Sequence, residues 1–231
     1  MKPKHFLLTF LFILLSFLSS CSKDDDESAT VEIIKKVQRV FAVNTDNALQ
    51  NEYRFQYNED NTIKSIVKVS NQISFTMQFE YTPNTISAKW FPSEGDDSEI
   101  IMSFENDILV HIKVNDQEFP VSFNANTNTY GLLGGQLLID DDGDVVSFTS
   151  NFVIEYDSTN KGAFYDVSSQ YQRLMVLILD ETFLTTILST KPVNSIEASI
   201  NGFEFSNTYD SDGYILTANS GSVSFDYHYF E

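Results

Sequence analysis

Phe75-Thr76-Met77-Gln78-Phe79-Glu80-Tyr81-Thr82 decides the fold class. Large apolar side chains occupy one set of alternate positions, and small or charged polar residues occupy the other. Successive side chains of a strand point to opposite faces, so this stretch is one half-buried β-strand. The same period of two recurs elsewhere. Tyr53, Phe55 and Tyr57 alternate with Arg54 and Gln56, and Val223, Phe225, Tyr227 and Tyr229 alternate with Ser224, Asp226 and His228. With 20 Phe and 11 Tyr against 9 Gly and 5 Pro, the chain has the aromatic, β-favouring composition of antiparallel sheets that are wet on one face only.

Between the alternating runs lie clusters that break strands. They include Asn58 to Asn61, Pro83-Asn84, Glu94 to Asp97, Asn106-Asp107, Asn115-Asp116, Asn126 to Asn128, Asp140 to Asp144, Asp157 to Asn160 and Asp210 to Gly213. Asn, Asp and Gly tolerate positive φ and bond to their own backbone, so each cluster is a hairpin turn. The spacing predicts about a dozen strands in an all-β, antiparallel meander. Tyr53 to Ile66 and Phe203 to Leu216 read as two copies of one unit: an aromatic strand, an acidic turn, then an aliphatic strand. Residues 171–188 depart from the pattern. They lack Gly and Pro, and Val176, Leu179, Phe183 and Ile187 fall on helical spacing. A short helix covering the sheet is expected there, ended by Lys191-Pro192; over Leu174 to Leu179 a buried strand fits as well.

The N-terminal residues supply an address. Lys2 and Lys4 precede an apolar run from Phe6 to Leu18, and then come Leu18-Ser19-Ser20-Cys21. A basic start, a short apolar core and small residues before a cut make a secretory signal. The only cysteine of the chain directly after the cut resembles the lipobox of a bacterial lipoprotein, which implies removal of residues 1–20 and lipidation of Cys21. Ser22-Lys23-Asp24-Asp25-Asp26-Glu27 resembles the signal that sends lipoproteins of Bacteroidota to the cell surface; read without that resemblance, it is a solvated acidic tether. The expected organisation is leader 1–20, acidic tether 21–30, and a single β-meander domain over 31–231.

Charge and residue supply then bound the function. With 14 Lys and Arg against 33 Asp and Glu, the formal charge is −19. Such a field repels nucleic acid and anionic headgroups. With Cys21 committed to lipid, no disulfide remains and stability rests on packing. His111 and His228 lie far apart on strand faces with no nucleophile motif beside them, so no catalytic residues are assigned and no enzyme is expected. No cofactor is expected. Asp140 to Asp144 carries four carboxylates, but its Gly143 is misplaced for a calcium-hand loop and no closing acid follows; a tight solvated turn is expected there in place of a calcium site. The best binding hint is Trp90-Phe91 before Pro92 and an acidic loop. Neighbouring strand residues face opposite ways, so one of the two rings should leave the core, where it is placed to stack on a sugar; a lone tryptophan more often packs inside.

The last third carries a family resemblance. Phe152 to Asp157, Asn160-Lys161-Gly162, Phe164, Lys191-Pro192-Val193, Phe203 to Ile215 and Phe225 to Tyr229 resemble a domain-of-unknown-function family of Bacteroidota lipoproteins described as having a porin-like fold. The Tyr209-Asp210 to Gly213-Tyr214 hairpin also resembles the YD repeats of bacterial surface proteins. The resemblance implies a barrel-like fold and an outer-membrane location, and no activity. A membrane-spanning strand needs about 9–11 residues, and most runs here are shorter, about five to eight. A curved, partly closed sheet with an aromatic core is therefore expected, and a pore is only a third choice. The functional expectation is a non-enzymatic, lipid-anchored surface module binding a glycan or an outer-membrane protein partner, with a structural or adhesive module as the alternative.

Overall fold

The alternating runs become strands. The computed structural model describes residues 34–132, 134–149, 152–167, 187–198 and 202–230. The larger sheet opens with β1 (Val37–Asn44), β2 (Leu49–Tyr57), β3 (Ile63–Ser70), β4 (Phe75–Thr82), β5 (Thr85–Pro92), β6 (Ser98–Glu105), β7 (Ile108–Val114) and β8 (Gln117–Pro120). A smaller sheet follows, made of β9 (Ser122–Asn124), β10 (Thr129–Leu132), β11 (Gly135–Ile139), β12 (Val145–Phe148), β13 (Phe152–Tyr156), β14 (Val193–Ala198) and β15 (Phe203–Glu204). The chain then returns to the larger sheet as β16 (Ser206–Tyr209), β17 (Ile215–Asn219) and β18 (Val223–Tyr229). The order is β16-β17-β18-β1 to β8 in the 11-stranded sheet and β15 to β9 in the 7-stranded one.

The protein is all-β and a meander, as the period of two requires, but it is no closed barrel. The meander divides where two strands change sheets. Gln117 to Asn124 breaks only at Val121, whose N–H still donates to Val110 of β7 at 3.0 Å. Phe203 to Tyr209 breaks only at Phe205, whose N–H donates to Asn194 of β14 at 2.8 Å. Each bent strand pairs with one sheet before the break and with the other after it, the corner by which a meander turns into two packed sheets. β18 pairs with β1, so the ends of the described chain are zipped together.

One face of each sheet joins a common core. Val40, Tyr53, Ile66, Met77, Ile100 and Ile112 of the larger sheet cluster with Tyr130, Leu137 and Val145 of the smaller, and Phe164, Val167, Ile187 and Leu188 pack among them. Phe55 meets Phe164 edge to face at 5.2 Å between ring centres, a geometry that aromatic quadrupoles favour. Of the helix expected at 171–188, only Ile187, which is helical, and Leu188 are described, and both are fully buried; the rest lies outside the described residues. The leader 1–20, Cys21 and the tether 21–30 also lie outside them.

At one end of the strands, bulges bend the ladder and free a backbone carbonyl. Tyrosines close these gaps. Tyr57 Oη donates to Val37 O at 2.7 Å, Tyr81 to Ile63 O at 2.6 Å, Tyr156 to Val145 O at 2.8 Å and Tyr229 to Ile215 O at 2.8 Å. All four acceptor residues sit at register shifts. Burial pushes the phenols of Tyr57, Tyr156 and Tyr229 far above their ordinary range, which keeps them protonated as donors.

Candidate functional site

Met77 of β4 pairs with Trp90 of β5, and Thr76 pairs with Phe91. Met77 is fully buried, so Trp90 shares the core face, where it packs half-buried against the core cluster. Phe91 takes the outer face, also half-buried. The indole meets Phe75 edge to face at 6.0 Å. Lys68 of β3 points to the same inner face: it pairs with Tyr53 and Phe75, both buried, is only 9 % exposed, and holds its Nζ 5.4 Å from the Phe75 ring centre. Further along, Asn51 is 4 % exposed and donates from Nδ2 to Tyr53 Oη at 3.3 Å. Asn51, Tyr53, Lys68, Phe75 and Trp90 therefore form a continuous polar and aromatic stripe across the inner face of β2 to β5.

Two atoms of this stripe are sealed from solvent without a hydrogen-bond partner: Trp90 Nε1 and Asn51 Oδ1. A buried donor or acceptor left unpaired costs about 1–3 kcal/mol. Trp90 is the residue singled out from sequence, but its partners in the stripe were missed for a local reason. Ile63 and Ile66 are both fully buried, three apart, because a bulge opposite Gln56 and Tyr57 shifts the strand by one residue. Parity counted from Ile63 puts Lys68 outside; counted from Ile66, it puts Lys68 inside, as observed.

The acidic turns hold lysines. Asp140 N donates to Asp144 O and Gly143 N to Asp140 O; Asp210 N donates to Tyr214 O and Gly213 N to Asp210 O. In both turns the first aspartate's Oδ1 takes the N–H groups two and four residues on. The glycines have φ of +80° and +83°, a region costly to residues with a Cβ. Lys191 Nζ lies 2.6 Å from Asp140 and 2.9 Å from Asp142. Lys35 Nζ lies 2.6 Å from both Asp210 and Asp212. An ammonium thus sits among the carboxylates of the Asp140 to Asp144 turn, and among the described residues no group of three or more His, Cys, Asp or Glu is set to hold a metal. Asn58 to Thr62 is a third copy, with Asn61 at φ +65° and Lys36 Nζ on Asn61 Oδ1 at 3.0 Å. The repeat seen in the sequence is thus a repeat of turn geometry.

Below the second of these turns, Asp166 accepts from Tyr214 Oη and from Lys35 N, while Lys161 Nζ lies 4.8 Å from the Tyr165 ring centre and 4.5 Å from that of Tyr214. Asp157 collects Thr159, Asn160 and Tyr209. Burial works to raise its carboxyl, and these bonds outweigh burial and hold it well below the usual range. Burial and the Asp157 bond push the Tyr209 phenol up to about 12. These groups tie turns to strands. The histidines stand apart on β7 and β18, each near one carboxylate: His111 at 3.8 Å from Glu118 and His228 at 3.4 Å from Asp226.

The chain matches no protein-family model, and no curated protein is matched by its sequence.

Proposed function

We propose that this chain is a lipid-anchored binding module of the bacterial outer surface, without catalytic activity, whose ligand or partner engages the inner stripe centred on Trp90. The observation that carries the reading is the pair of sealed, unpaired groups, Trp90 Nε1 and Asn51 Oδ1, held on one face among aromatic rings. An unpaired buried group asks for a partner that the protein does not supply, a water or a ligand. Asn207 Oδ1 and Ser220 Oγ are unpaired as well, but only the stripe sets such groups among aromatic rings. Both groups face the core, so engagement requires neighbouring side chains to part. A glycan then offers hydroxyls for both and a C–H face for the indole, and an outer-membrane protein partner is the other candidate. The address follows from the lipobox-like run ending at Cys21 and the acids after it. Against a pore stand charged outward rows such as Glu52, Arg54, Glu80, Lys89 and Glu99, which a lipid-facing surface does not tolerate.

Trp90 is the chain's only tryptophan, so it reports on its own site. A glycan array probed with the purified full-length chain, followed by fluorescence titration of the hits, should show binding that shifts Trp90 emission. Trp90→Phe keeps a ring and removes the N–H, and is expected to weaken binding about tenfold, the 1.4 kcal/mol of one hydrogen bond. Equal affinity of the variant, or emission unmoved by a bound ligand, would remove the stripe as the site.

A further inference from the structure

In a chain with 33 acidic residues, no charged residue occurs between Val121 and Ile139, nor between Val145 and Ile154. Folding sets alternate described residues of these two stretches on the outer face of the smaller sheet, opposite the buried Tyr130, Leu137 and Ile139. Cross-strand pairing puts Asn124 beside Thr129, Thr129 beside Leu138 and Leu138 beside Ser147; the next row runs Ser122, Gly131, Gln136. Two adjoining depressions of about 780 and 470 Å³ lie over these rows and share Thr129, Gly131 and Gln136 as a common wall. Both volumes lie in the range of about 300–1,000 Å³ typical of small-ligand sites. No Lys, Arg, Asp or Glu lines either one. The contrast lies on the same sheet, where a depression of about 570 Å³ over β13 to β15 is lined by Glu155, Glu197 and Glu204.

The groove has its depth because side chains are missing from it. A Cβ on Gly131 would lie 2.5 Å from Ser122 Oγ, and one on Gly135 would lie 2.6 Å from Thr149 Oγ1 and 3.2 Å from the Phe148 ring. Hydroxyls therefore lean over bare backbone. What remains is a row of hydroxyl and amide groups around the half-buried Leu138, which offers an apolar patch. An anion would meet the field of the whole chain with no cation to receive it. A cation would find no carboxylate. A protein interface would ask for aromatic or Arg anchors, and the one aromatic that lines the groove, Phe123, is packed against the core ring of Tyr130 at 4.6 Å. A ligand that is uncharged, rich in hydroxyls and able to lay C–H groups on Leu138 matches the lining.

We propose that this groove docks a neutral glycan chain, at a second site on the sheet that does not carry Trp90. The proposal deepens the binding-module reading and rests on it. The test is affinity electrophoresis of the purified full-length chain through gels holding dextran, galactomannan or arabinan, with polygalacturonate as the anionic comparison. Retardation by at least one neutral polymer and none by polygalacturonate is expected. Gln136→Glu, at an exposed position, adds one charge to the shared wall, and Gly131→Val fills the floor without charge; each should weaken retardation at least tenfold. Glu197→Gln, on the acidic half of the face, should leave it unchanged. Retardation that survives both groove variants overturns the groove; if Trp90→Phe abolishes it in the same gels, the binding-module reading stands with its site at the stripe. No retardation by any neutral polymer overturns the groove outright, and a silent glycan array beside it would take the glycan reading with it.

Discussion

The tyrosines at or next to the ends of β2, β4, β13 and β18 show how much one hydroxyl does in this fold. Each ring lies at a position that the alternation in the sequence marks as aromatic, but the alternation gives no hint of why Tyr stands there and not Phe. The bulges explain the choice, since each leaves a carbonyl that the hydroxyl satisfies. Tyr57→Phe keeps the ring and leaves the carbonyl of fully buried Val37 without its 2.7 Å donor. It should cost about 1–3 kcal/mol, read as a lower urea midpoint at unchanged slope. An unaltered midpoint would mean that the carbonyl finds another donor. The inner stripe was half legible for a similar reason. Trp90 stood out by type, whereas Lys68 and Asn51 became visible only once the bulge had fixed which face they share with Tyr53 and Phe75.

Turns were the most legible elements, because Asn, Asp and Gly act locally: the clusters from Asn58 to Asp210 all fall between strands. The partners of those turns were not legible, since Lys35 and Lys191 lie 175 and 51 residues from the aspartates that hold them. The spacing predicts about a dozen strands against 18 among the described residues, since short strands such as β9 and β15 give too few alternations to register. One link between elements makes a sharp demand. Gly162 N donates to Thr190 O at 2.7 Å, and a Cβ there would lie 2.5 Å from Ser189 O and 2.8 Å from two backbone atoms of Lys191. Backbone on both sides cannot rotate away as a side chain can. Gly162→Ala should therefore cost about 3 kcal/mol or more, whereas Gly95→Ala, with open space around it but φ at +100°, should lose only the backbone term of roughly 1–2 kcal/mol. Thermal melts of the two variants would rank them; the reverse order would refute the close approach.

At the scale of the molecule, the same ties set the response to pH. Asp157 and Asp210 are held below their ordinary values, in each case by hydrogen bonds that outweigh burial. Their contribution is complete above the unfolded carboxyl value of about 3.9 and is lost as pH falls through the lower folded values. Bonds to Asp210 and Asp212 raise Lys35, and bonds to Asp140 and Asp142 raise Lys191 against its burial. Their contribution is complete below about 10.4 and is lost as pH rises through the higher folded values. The melting temperature should be level from roughly pH 5 to 9 and fall on both sides; a steady slope across that interval would show that other groups dominate. The class of fold was legible from period two alone, but the division into two sheets was not, because it turns on single backbone breaks at Val121 and Phe205. The pairing of β1 has a mechanical consequence. β1 lies inside the larger sheet, bonded to β18 on one side and β2 on the other. A pull applied ahead of Ile34 reaches the fold along an inner strand and loads two ladders in shear, with all their bonds sharing the force at once. A chain tethered from that side resists drag far better than one held by an edge strand, which would unzip one bond at a time.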